Sequence, residues 1–86
     1  MAELKSMPWD ERVWKALKAA ITPMPPFVRG KALKKIIAAS EENSRRRDSE
    51  AVEAQDLIKA ARENVRPAML QVLLQSLAEH GVSEHL

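Results

Sequence analysis

Two consecutive prolines, Pro25 and Pro26, constrain what this chain can fold into more than any other feature. A proline ring fixes φ and holds the preceding residue out of the α region, so a helix arriving from the N-terminal side has to stop before Met24. Proline suits the first helical position, where its missing N–H has no helical partner to lose, so a new helix can begin at Pro26. A stiff corner therefore joins two helices and presents the chain's single phenylalanine, Phe27, beside Val28, Arg29, Gly30 and Lys31.

Composition supports helices on both sides of that corner. Ala, Leu, Glu, Lys and Arg are abundant, with two glycines and no tyrosine, which favours helix over strand. At 86 residues the chain forms one domain, and a chain this short buries only about 60–65% of its unfolded surface. The absence of cysteine rules out disulfides, thiolate zinc sites and Cys-ligated iron–sulfur clusters within this sequence. No stretch approaches the ~20 apolar residues of a membrane span, and the start lacks the apolar run of a signal peptide, so the chain reads as soluble and cytoplasmic. Fourteen Lys and Arg against twelve Asp and Glu leave a net charge of +2, which argues against nucleic acid as the partner.

Periodicity predicts an all-α fold, a compact bundle of three to four short helices at about 8–22, 26–44, 53–64 and 67–80. Residues 8–80 form the domain, between flexible termini at 1–7 and 81–86. Val13, Leu17, Ala20 and Ile21 recur on one face of the first helix, which Thr22-Pro23 ends. In the second, Val28, Ala32, Ile36 and Ala39 make one row and Phe27, Leu33 and Ile37 are read as another. In the third, Ala54, Leu57, Ile58, Ala61 and Val65 form a narrow, small-residue stripe with Ser49 or Glu53 as cap. Pro67 opens the fourth, which Gly81 ends. The core expected from these stripes is Val13, Leu17, Ile21, Phe27, Val28, Leu33, Ile36, Ile37, Leu57, Ile58, Leu70, Leu73 and Leu77.

Trp9 and Trp14 read as packing rather than ligand stacking. Asn43 to Ser49, with Arg45, Arg46 and Arg47, reads as a solvated helix end and linker. Glu53 and Asp56 sit near a helix start, where the dipole favours acids, with no His or Cys near them in sequence. His80 and His85 are i, i+5 and do not share a helix face as metal-binding pairs do. Arg29, Lys31, Lys34 and Lys35 place cations at the positive end of the second helix, against its dipole, which reads as an ordinary solvated face or, alternatively, as one kept for a partner. Met69 and Val72 widen the apolar arc of the fourth helix beyond what a surface helix needs, which suggests self-association or docking.

The segment Pro26-Phe27-Val28-Arg29-Gly30-Lys31, with the Trp9 to Trp14 region before it and Val52 to Arg62 after it, resembles the small C-terminal domain of the B subunit of light-independent (dark-operative) protochlorophyllide reductase. That domain's signature reads roughly Pro-Phe-Phe-Val-Arg followed by a basic helix. Here a single Phe follows Pro26, Pro25 is added, the tract from Trp9 to Pro26 is longer, and residues after Val65 have no counterpart. The resemblance implies a helical accessory or protein-interaction domain associated with a nitrogenase-like tetrapyrrole reductase, with no cofactor of its own. Iron–sulfur clusters and ATP would belong to a larger partner. It also implies that Phe27 packs on a tetrapyrrole while Arg29 or Lys31 pairs with a propionate; the alternative is that Phe27 is core and Arg29 bonds locally. A direct part in protochlorophyllide reduction is the competing expectation, and weak nucleic-acid binding a third.

Overall fold

The computed structural model describes residues 5–82, and among these it has four helices and no strand. They are α1 (Glu11–Ile21), α2 (Pro26–Arg46), α3 (Ala54–Asn64) and α4 (Pro67–Glu79). The all-α bundle expected from periodicity is the observed fold. Its helices pair as α2 on α3 and α1 on α4, with α3 also touching α4. The body measures 33 × 33 × 21 Å. Val13, Leu17 and Ile21 meet Ile36, Ile37, Leu57, Ile58, Leu73 and Leu77 in one cluster, and Leu33 and Leu70 pack on its edge. Ala54, Ala60 and Ala61 are also buried, so α3 can lie close to its neighbours.

Two expected core residues are outside it. Phe27 is 82% exposed and Val28 36% exposed. The helical period explains both. Each residue advances about 100°, so Leu33 and Ile37 share a face while Phe27, six residues before Leu33, points about 120° away from it. The row Phe27, Leu33, Ile37 is therefore not one face of a helix. Val28 lies on the margin of the buried side, in the first turn, where α2 extends past the core.

The helix ends explain the remaining differences in boundary. α1 starts at Glu11 rather than Pro8 because Asp10 caps it, its Oδ1 accepting from Arg12 N at 2.9 Å and Val13 N at 3.3 Å. The preceding residues are held extended: Val52 N donates to Pro8 O at 3.0 Å and Asp10 N to Val52 O at 2.9 Å, a single parallel bridge. α2 ends at Arg46, two residues later than expected, so the first half of the polar tract read as a solvated helix end and linker is helical. Polar side chains do not break a helix, and here Asn43 and Ser44 are buried, donating to Asp56 O and Ala51 O at 3.1 Å.

Both α2 and α4 close with the same device. Ser49 N donates to Ser44 O and Asp48 N to Arg45 O; likewise Val82 N donates to Leu77 O and Gly81 N to Ala78 O. This pair of bonds needs a left-handed residue after the cap, and Gly81 (φ 87°) and Asp48 (φ 56°) supply it. Val82, within the terminus expected to be flexible, is buried beside Leu77; residues 83–86 lie outside the described residues. A Cβ in the left-handed region costs about 1 kcal/mol, so Asp48→Gly is expected to raise stability by about that much in a denaturant titration.

Candidate functional site

The basic residues named from the sequence do not share one face. Arg29 turns back over the corner, its Nη1 donating to Thr22 O at 3.3 Å. This local bond is the alternative set out for it above. Lys31 and Lys34 lie at i+4 and i+7 from Phe27, with Lys35 beside them, so Phe27 and the three lysines project from the solvent side of α2. None of these lysines makes an ion pair or hydrogen bond among the described residues. Pro25 caps α2 without a side-chain bond, and the first turn has no acid. Gly30 sits within this face, and a Cβ built on it would meet nothing within 4 Å.

The apolar surplus on α4 is real and lies elsewhere. Val72 is 58% exposed and Met69 38%. With Leu73 they border a shallow cavity of about 140 Å³ closed on its other side by Ala20, Pro23 and Met24. It has room for an apolar side chain or two, well short of the roughly 300–1,000 Å³ of a small-molecule pocket. A larger groove, about 830 Å³, opens between the starts of α1 and α3 and the end of α4. Among its polar groups, Asp10 and Glu53 already cap helices and Glu11 pairs with Lys15 at 3.2 Å. Among the described residues no cluster of three or more His, Cys, Asp or Glu is placed to hold a metal.

Two polar centres were missed in the sequence. Glu41, which flanks the tract read as a solvated helix end and linker, is 4% exposed. Its Oε2 accepts from Ser6 N at 2.7 Å, Trp9 Nε1 at 3.0 Å and Met7 N at 3.3 Å, and its Oε1 from Ser6 Oγ at 2.6 Å. Ser6 and Met7, within the segment 1–7 expected to be flexible, are thereby tied to α2; residues 1–4 lie outside the described residues. Trp9 is buried, and Trp14 meets it edge-to-face at 5.1 Å with Lys5 and Lys18 over its ring, so both tryptophans pack as expected. The signal for Glu41 was its spacing: it follows Ile37 by four residues and continues the buried face of α2 in polar residues. The second centre is Asp56, 2% exposed. It accepts from Arg47 Nε at 2.8 Å and Nη2 at 2.7 Å, and from Glu53 N at 2.9 Å, closing a capping box at the start of α3. This bidentate bond raises the Arg47 pKa above its ordinary value.

Burial pushes the Glu41 carboxyl up, but the hydrogen bonds from Ser6, Trp9 and Met7 outweigh it and hold the pKa below the ordinary 4.5. A depressed carboxyl contributes stability that is fully present above its unfolded pKa and lost as pH falls through the folded one. Stability is therefore expected to fall below about pH 4.5, and Glu41→Gln to flatten that part of the profile. Chemical denaturation followed by tryptophan fluorescence at a series of pH values checks it; equal slopes for parent and variant would refute the assignment.

Comparison with protein-family models, curated proteins and solved structures found no match to this chain. Among the described residues no helix is long and apolar enough to cross a membrane.

Proposed function

We propose that this chain is a non-catalytic accessory domain that docks on a larger protein, of the kind implied by its resemblance to the C-terminal domain of the light-independent protochlorophyllide reductase B subunit. The observation that supports this reading is the exposure of Phe27. The side chain at the centre of the resembling segment is 82% exposed and adds almost nothing to the core of its own chain. An exposed aromatic beside cations that have no partner among the described residues suits contact with another molecule. In a tetrapyrrole reductase the same face fits the edge of a macrocycle, with Phe27 against the ring and Lys31 beside a propionate. The chain's own contribution is position and surface; electrons and ATP belong to the larger protein.

Sedimentation of the purified chain with assembled nitrogenase-like reductase subunits tests this. Co-sedimentation of the parent, lost in Phe27→Ala, is the expected result. Independent sedimentation at concentrations of tens of micromolar, well above a typical transient Kd, would count against it. Val72→Glu in the same experiment reports whether the α4 strip is a second contact.

A further inference from the structure

The exposed face of α2 holds three features that nothing else among the described residues uses. Phe27 stands in solvent, Lys31, Lys34 and Lys35 have no partner among the described residues, and Gly30 leaves bare backbone between them. The glycine is the most informative. Within a helix it costs about 1 kcal/mol relative to alanine, and nothing among the described residues approaches closely enough to require it. Bare backbone on a helix face does suit a second helix crossing at that point, where the missing side chain lets the two axes come close.

We propose that this face is the docking site for an acidic amphipathic helix of another protein, crossing α2 at Gly30. Phe27 enters the apolar side of that helix, and its carboxylates meet Lys31, Lys34 and Lys35. Charge selects the partner: residues 26–40 contain four basic side chains and no acidic one, although the chain as a whole is only +2. The positive end of α2, uncapped by any acid, adds to the same field. A second copy is disfavoured because a two-fold crossing at Gly30 would set these lysines against their own copies. A lipid surface accounts for the lysines and the ring but has no use for the glycine.

This deepens the reading of the chain as an interaction module and does not depend on which reductase, if any, it serves. The test is selection of a displayed library of random peptides, ~16 residues long and so a little over four helical turns, on the full chain. The expected binders combine several Asp or Glu with Leu, Ile or Phe at helical spacing. Phe27→Ala and the double variant Lys31→Glu, Lys34→Glu should each weaken them by ~10-fold or more. Gly30→Gln separates folding from binding: the variant should melt higher than the parent yet bind at least ~10-fold more weakly. No enrichment, binders without acidic residues, or binding indifferent to Gly30→Gln would overturn the proposal. So would flotation with phosphatidylserine vesicles, or a dimer in sedimentation, abolished by Phe27→Ala. Failure of reductase subunits to bind leaves this inference standing, whereas failure of the selection removes it and leaves those subunits the α4 strip.

Discussion

Asp56→Ala is expected to destabilise the chain by about 1–3 kcal/mol, because one carboxylate that is itself 2% exposed serves three donors. Its removal strands the Glu53 N–H, leaves the Arg47 guanidinium without its bidentate partner, and opens the junction between the end of α2 and the start of α3. Because the chain turns from α2 into α3 here, the loss falls on the α2–α3 pairing, a major contact of the fold. Part of the cost reflects unpaired groups rather than the value of the pair. The double variant Arg47→Met, Asp56→Leu, which removes both charges and fills the space with apolar atoms, is accordingly expected to be more stable than Asp56→Ala. Denaturant titrations of both variants check this. An Asp56→Ala chain as stable as the parent would mean that water satisfies the Arg47 and Glu53 donors once the carboxylate is gone.

The second large effect separates the two hydrophobic residues that sequence alone ranks together. Leu57 is fully buried where α3 meets the core, and Leu57→Ala should cost about 2–5 kcal/mol through lost transfer energy and the cavity left behind. Phe27→Ala, although it removes more apolar atoms, should change stability by less than about 0.5 kcal/mol, because the ring has little burial to lose. Thermal melts of the two variants measure the contrast directly. A Phe27→Ala chain that melts far below its parent would return the ring to the core and remove the support for its role in binding.

Much of the fold was legible because local rules decided it. The prolines at 25, 26 and 67 set where α2 and α4 begin, and Gly81 marks where α4 ends. The spacing of Leu, Ile and Val identified most of the core. The α4 surplus was also legible, since Met69 and Val72 flank the stripe of Leu73 and Leu77 at angles too wide for one neighbour to cover.

The amino-acid sequence by itself determined four helices, the corner at 25–26 and the small-residue character of α3, since each follows from dihedral limits, periodicity and side-chain size within a few residues. Only the tertiary structure decided which polar groups are structural. Glu41 is buried because a segment more than thirty residues earlier in the chain supplies its donors, and Asp56 because Arg47, at the far end of a turn, reaches back to it. Whether an apolar or charged side chain is used inside the fold or left for a partner depends on what covers it. Phe27 and the lysines of α2 look, residue by residue, like core and solvated face. They become a candidate surface because α3 and the N-terminal segment cover the other sides of that helix and leave this one open.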